Sequence, residues 1–524
     1  MVFRVVRAQL DAVALGNLER ELEGVYRIEA EPIVEQRRFG IDCAWIHVFQ
    51  IDRRDDQFGE GLFGGSLRCG HFSAASYPAT NRSGYNSRVI ESDVLVVGGG
   101  PAGSTTAAFL ARRGRSVTLL ERDHHPRFHI GESLLPANMP IIERLGVLDA
   151  VREIGVLKLG ADFPTMDGGG YNVFRFSRAL GKTPPYAFQV KREEFDELLF
   201  RHAASLGVDA RQGVRVRSAD FSPAGVVAHA ETESGQALDV RARYLVDATG
   251  RDAFLGGALK LKRKHPRHRS AALFAHFRGV ERRPGEDAGN ISIYAHENGW
   301  AWMIPLRQGI VSVGIVADPW LFKNRREPPG DFLRRVLDAV PGARERMAGA
   351  EIVGNLHATG NYSYVCGRLT GPRWLMAGDS GAFVDPIFST GVYLAMRAGE
   401  RAAELVDRAL DEPRAEARLQ RAYEREVWAG LRALSWFIER FNAPATRTLF
   451  ANPRNAFGME QAVISMLAGD VFGTPEIGRR LAAYKFVYYF SSLRSPRATL
   501  SYWRNRRRRM AAEFTGGTTR QDPA

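Results

Sequence analysis

The clearest hydrophobic pattern in the chain lies between Ser92 and Asp123, SDVLVVGGGPAGSTTAAFLARRGRSVTLLERD. Val94–Val97 is an unbroken apolar run, which predicts a strand buried on both faces. A glycine-rich turn follows, and apolar residues at helical spacing then predict a helix from Ser104 to Arg113. Val117–Leu120 is a second apolar run and predicts the returning strand. Strand-like and helix-like segments go on alternating to about Glu412, the pattern of an α/β fold. GWAWMIPL alternates with period two, which places Trp300 and Trp302 on one face of a strand. From Glu416 the pattern changes: EARLQRAYEREVWAGLRALSWFIERF predicts a long amphipathic helix, with further helical pieces to Tyr502. The aromatics Trp428, Trp436, Phe437 and Phe441 read as core at helical spacing. By contrast, Asp52–Ser87 is rich in Gly, Arg and Ser and shows neither period, which predicts loop. The expected organisation is therefore a poorly ordered extension at 1–88, or an over-extended start with the true one near Val89; an α/β core at 89–412; a helical part at 413–503; and a basic disordered tail at 504–524.

Composition narrows the function classes. With 524 residues, 45% hydrophobic and 25% charged, the chain suits a soluble globular protein of two to four domains. The net charge of +13 is mostly scattered arginine, with one dense run at Arg504 and Arg506–Arg509. No aromatic platform accompanies that run, so nucleic acid is not an expected partner. Three cysteines, Cys43, Cys69 and Cys366, give neither a disulfide framework nor a metal cluster, and make the cytoplasm the default compartment. No apolar run reaches the roughly 18 residues of a membrane span, and the start of the chain is too charged for a signal peptide.

The chemistry begins at the glycine turn. Gly98, Gly100 and Gly103 hold the G-x-G-x-x-G positions, with Pro101 and Ala102 between them. The first glycine permits the tight turn, the second lets backbone approach a pyrophosphate, and the third lets the helix pack on the strand. The helix N-terminus then offers free N–H groups to phosphate. Glu121, about 20 residues on, is where a carboxylate takes the ribose hydroxyls.

LVDATG, containing Asp247, and MAGDSGAFVDP, containing Gly378, Asp379 and Pro386, resemble the distal FAD contacts of two-dinucleotide-domain flavoproteins of the glutathione-reductase/hydroxybenzoate-hydroxylase type. HPRFHIGESLLP and FQVKREEFDELL add Arg127, Glu132, Ser133 and Arg192, which the resemblance puts on the flavin side. Together with FVDPIFSTGVYLAM and the W-x-W-x-I-P element Trp300-Ala301-Trp302-Met303-Ile304-Pro305, the chain resembles the flavin-dependent halogenases, in the branch acting on phenols, pyrroles or carrier-tethered aromatic acids. The resemblance runs from about Val94 to Glu412. It implies a Rossmann-type FAD domain with an inserted β-sheet substrate domain, and FADH2, O2 and chloride or bromide as reactants. It also implies a separate flavin reductase and an aromatic substrate, either free or on an acyl- or peptidyl-carrier protein.

Residue by residue, the resemblance makes Lys158, in VLKLGADF, the holder of hypohalous acid or the carrier of halogen as a haloamine. Trp300, Trp302 and Pro305 become the element that keeps substrate from the flavin. Ser389 opens the halide segment, and the backbone N–H groups of Thr390 and Gly391 bind the halide. One departure matters. Tryptophan-specific relatives place a catalytic Glu just before this Ser, whereas this chain has Phe388. A phenol or pyrrole, whose own lone pair stabilises the ring cation, is therefore expected rather than free tryptophan. An FAD hydroxylase, a geranylgeranyl-reductase-like enzyme and a non-catalytic flavoprotein share the fingerprint and stay open at this point.

Overall fold

Strand β1 (Arg88–Val97) runs into the glycine turn, α1 (Pro101–Ala111) crosses over, and β2 (Val117–Leu120) returns parallel to β1 with Val94 opposite Val117. The computed structural model describes residues 88–165, 169–265, 270–296, 298–360, 363–383, 385, 387–451, 453, 455, 458–472, 475–510 and 518–519. The chain divides into two units, Met1–Thr80 and Asn81–Ala524, and all described residues belong to the second. The expected extension at 1–88 lies outside the described residues apart from Arg88, as does Pro386. Strand β1 begins six residues before the apolar run alone predicts. Helix α1 begins at Pro101 rather than Ser104 because proline suits the first helical position, where its missing N–H would go unused anyway.

The chain then makes β3 (Gly155–Lys158), β4 (Gly160–Pro164), β5 (Tyr171–Arg175) and β6 (Ala187–Val190). Next come α2 (Arg192–Ser205), β7 (Asp209–Arg211), the hairpin β8 (Val214–Ser222) with β9 (Gly225–Thr232), and β10 (Ala237–Asp247). Five further strands are β11 (Ala271–Arg278), β12 (Ile291–His296), β13 (Gly299–Pro305), β14 (Val311–Ala317) and β15 (Glu351–Thr359), and β16 (Trp374–Met376) follows them. The first sheet runs β16–β10–β1–β2–β7 in parallel, and β10 uses its first half to pair antiparallel with β9. The long β1–β10 pairing, Arg88 opposite Leu238 through Val97 opposite Asp247, explains the early start of β1. The second sheet runs β15–β11–β14–β13–β12–β4–β5, antiparallel except where β12 meets β4.

Strand β13 divides its side chains as the alternation predicts. Trp300, Trp302 and Ile304 join one core with Phe163 and Phe174, whereas Ala301 and Met303 join another with Phe332 and Leu337. Gly314, opposite Trp302 on β14, is small for a reason: a Cβ there would lie 2.4 Å from the Trp302 ring. Gly314→Val is expected to destabilise the fold by about 1–3 kcal/mol through overpacking, read from the midpoint of urea unfolding.

From residue 390 on, the described helices are α3 (Thr390–Asp411), α4 (Glu416–Arg440), α5 (Pro444–Ala451), α6 (Met459–Leu467), α7 (Pro475–Arg494) and α8 (Pro496–Met510). Helix α3 packs on α1, where Thr106 Oγ1 donates to Gly399 O at 3.2 Å. Leu434 and Phe437 of α4, Met466 of α6 and Tyr484 of α7 close the core on the tryptophan face. The tail expected to begin at 504 is corrected: α8 continues to Met510, because Arg506 is buried and donates to Glu439 O. Among the described residues, no helix is long and apolar enough to cross a membrane.

Candidate active site

A cleft of about 1260 Å³ opens where β1 and β10 end at their carboxyl edges, with loops from both sheets around it. The glycine turn forms its floor. Gly98 sits at φ +105°, and a Cβ there would lie 2.4 Å from Ala248 O; a Cβ on Gly103 would lie 1.8 Å from Gly98 O. Gly100 differs, since its nearest neighbour would be Arg127 Nη2 at 3.6 Å, and the space it leaves faces the cleft. Glu121 accepts the Gly99 N–H at 2.7 Å and the Asp123 N–H at 3.0 Å, which fixes its carboxylate at the rim. Arg127 lies between Glu121, at 3.4 Å, and Asp196, at 3.5 Å. Arg192 makes a bidentate pair with Asp196 at 2.7 and 2.9 Å and donates to Ile130 O at 2.8 Å.

Glu132 is buried against the cleft; His276 Nε2 bonds its Oε1 at 2.7 Å. Burial opposes a charge on His276, but the Glu132 hydrogen bond and charge prevail and raise its pKa. His129 is pushed down to about 3, by burial first and by Arg192 second. Asp379 lines the cleft and is pushed up to about 6 by desolvation, against the pull of Arg251 and Arg192.

The opposite wall is aromatic. Trp300 and Trp302 both line the cleft, with ring centroids 5.6 Å apart, and Trp302 Nε1 donates to Ser312 Oγ at 3.2 Å. Ser389 lines the cleft at φ +57°, an uncommon conformation for a residue with a Cβ, and turns the chain into α3. The first N–H groups of this 22-residue helix lie at Thr390 and Gly391, and a Cβ on Gly391 would meet nothing within 4 Å.

Lys158 is not a lining residue of the cleft. It lies one hydrogen bond behind the wall: Nζ donates to Ser133 Oγ at 2.8 Å and to Leu134 O at 2.9 Å, and Ser133 lines the cleft. In β3, Leu157 points outward and Lys158 inward, leaving Lys158 only 1% exposed. Its nearest aromatic is Phe176, 5.3 Å from Nζ. Burial alone pushes its pKa down to about 7.

Gly98, Gly100, Pro101, Ala102, Glu121, Arg127, Glu132, Ser133, Arg192, Trp300, Trp302, Asp379, Ser389 and Gly391 all line this one cleft. Besides Lys158, five expected site residues among those described do not: Gly103 and Thr390, each next to a lining residue, and Asp247, Pro305 and Gly378. Asp247 is fully buried: Oδ1 accepts from Thr249 N and Oγ1, and Oδ2 from Leu255 N, so it pins the loop after β10. Pro305 ends β13 opposite Val311, and Ile304 takes its place at the wall. A Cβ on Gly378 would lie 3.1 Å from Ala395 of α3, so the bare glycine lets helix and turn come together.

The family model for an FAD binding domain matches residues 91–433. Flavin-dependent halogenase armH3 of Armillaria mellea is 36% identical over 347 residues, covering 60% of this chain and 67% of that protein. A 1H-pyrrole-2-carbonyl peptidyl-carrier-protein brominase of Pseudoalteromonas luteoviolacea is 35% identical over 328 residues, 61% of this chain and 78% of its own length. The chain belongs to the flavin-dependent halogenases. The solved flavin-dependent brominase Bmp2 superposes with a TM-score of 0.67 at 27% identity, covering 75% of this chain and 98% of that one. The chain spans between 60% and 67% of the length of armH3 and two further curated halogenases.

FAD is the cofactor of this halogenase family, and the cleft fits it. Arg127 Nε and Glu132 Oε2 are buried without a protein partner, one donor and one acceptor, and the clearance at Gly100 suits the approach of a phosphate. Reading the halogenase motifs alone missed part of the wall. Phe128 stacks on His357 with ring centroids 3.9 Å apart, and His357 in turn stacks on Phe274 at 5.6 Å. Phe128 sits inside the quoted HPRFHIGES segment and was within reach. His357 and His276 come from strands with no chemical signature of their own.

Proposed function

We propose that this chain uses reduced FAD, O2 and chloride or bromide to halogenate an electron-rich phenol or pyrrole, taken free or as a carrier-bound acyl group. The observation that carries the reading is Lys158: a buried amine without a counter-ion, one hydrogen bond behind the flavin cleft. Lysine is rarely buried without a partner, and here its desolvation yields a neutral nucleophile near pH 7.

Gly98–Gly103, Glu121, Arg127 and Asp379 would hold the cofactor, with Arg192 fixing the Asp196 carboxylate beside Arg127. When bound, reduced flavin would supply the two electrons that take one oxygen atom of O2 to water, leaving the other to oxidise halide to hypohalous acid. The N–H groups of Thr390 and Gly391 hold the halide at the start of α3, where the helix dipole favours an anion. Trp300 and Trp302 fill the wall and keep the organic ring out of the cleft. The Lys158 amine then takes the halogen: its N–H and the HO–X bond break, N–X forms and water leaves. The ring attacks N–X, the C–X bond forms, and the ring proton returns to the amine.

Phe388, buried and 5.8 Å from Phe441, offers no carboxylate to a ring cation, which favours a phenol or pyrrole. Two relatives act by name on pyrrole-2-carbonyl carrier proteins, and this supports a tethered substrate. We assign the supply of FADH2 to a separate flavin reductase and the setting to the cytoplasm. Product masses measured with chloride, with bromide and without halide test the reaction. Isotope-patterned halogenated product is expected only when halide is present; a product gaining 16 mass units without halide means a hydroxylase.

A further inference from the structure

The outer face of α7 is apolar where a surface helix is normally polar. Phe486, Tyr489, Phe490 and Leu493 recur at helical spacing on its solvent side, Phe486 being 71% and Phe490 54% exposed. Helix α8 follows after Ser495 and presents Leu500, also exposed. Residues 475–510 hold ten lysines and arginines against one acid, Glu476, which makes this the most one-sidedly basic stretch of the helical part. Arg480 is paired with Glu476, Lys485 lies over Trp436, and Arg506 is buried. Arg479, Arg494, Arg497, Arg504, Arg507 and Arg508 have no ion-pair partner among the described residues. Position adds a third observation. Helix α7 packs on α6, and α6 packs on Phe176–Arg178, whose Phe176 ring faces the Lys158 ammonium. This surface is therefore the outer layer on the lysine side of the molecule.

We infer that the α7–α8 surface is the docking site for an acidic carrier domain that presents its tethered acyl group toward Lys158. The inference rests on the carrier-bound reading proposed above. Unpaired arginines complement a negatively charged helical face and steer its approach, and the exposed Phe486–Leu493 stripe supplies the apolar centre of the contact.

The test uses the full chain with FAD and two probes: pyrrole-2-carbonyl on the phosphopantetheine arm of an acidic peptidyl-carrier domain, and the same acyl group on a small thioester. The variants are Arg494→Glu/Arg497→Glu/Arg504→Glu and Phe486→Ser/Phe490→Ser/Leu493→Ser, all on exposed positions. Each is expected to weaken carrier binding at least tenfold and to lower turnover of the carrier-bound acyl group. Halogenation of the small thioester should stay within about twofold, and wild-type carrier affinity should fall as salt rises. Unchanged carrier affinity in both variants overturns the docking site while leaving the carrier-bound reading in place. A wild-type enzyme that halogenates the thioester but never the carrier-bound group overturns both. Loss of self-association, or of binding to phosphatidylglycerol vesicles, with carrier affinity untouched assigns the surface to a second copy or to a membrane instead.

Discussion

Lys158→Met is expected to lower halogenated product by about 10³-fold or more while FADH2 oxidation continues, with free hypohalite escaping to an added amine trap. The methionine fills the same volume but cannot accept halogen. Lys158→Arg should fail as well, because a guanidinium stays charged at every working pH. In the wild-type enzyme the rate should rise with pH through about 7, as burial makes Lys158 neutral there. Stability should show the same group from the other side. The native amine titrates near 7 and the unfolded one near 10.5, so between those values the unfolded chain binds the extra proton. Wild-type stability therefore increases with pH across that window, and the penalty for burying the charge is complete below it. Lys158→Met removes the penalty and should be more stable at pH 7 by roughly 2–4 kcal/mol, read by urea unfolding. A variant that is dead and more stable identifies a residue retained for chemistry. Full activity in the Met variant would remove Lys158 from the mechanism.

Gly103→Val and Gly100→Ala should both cost FAD affinity, for different physical reasons. At Gly103 a Cβ collides with Gly98 O at 1.8 Å, so α1 must leave β1, and both flavin binding and the folded state should suffer. At Gly100 the nearest protein atom is 3.6 Å away, so the alanine fits the unliganded protein. Its methyl group instead occupies space reserved for a phosphate. Gly100→Ala is expected to keep its unfolding midpoint and lose about 100-fold or more in FAD affinity by flavin fluorescence titration. Equal losses of stability in the two variants would contradict this division.

Local pattern made the dinucleotide turn legible. Val94–Val97, the three glycines and Glu121 fall within one short stretch, and each has a single physical task there. Trp300 and Trp302 were legible because strand alternation alone puts them on one side. Asp247 was misplaced for an equally physical reason: an Asp after a strand can face a ligand or tie down its own loop, and only the positions of Thr249 and Leu255 decide. Pro305 followed the motif yet points away, since alternation gives the wall to Ile304. His276 and Glu132 meet across a long stretch of chain, and such a pairing has no one-dimensional trace. The continuation of α8 to Met510 was hidden because an arginine run reads as solvated until one member, Arg506, finds a buried carbonyl.

The Arg127 ion network bears on how the flavin comes and goes. Arg127 leans on two carboxylates of the protein itself, Glu121 and Asp196. Its charge is thus balanced within the protein, and a phosphate bound beside it would have to compete with both carboxylates.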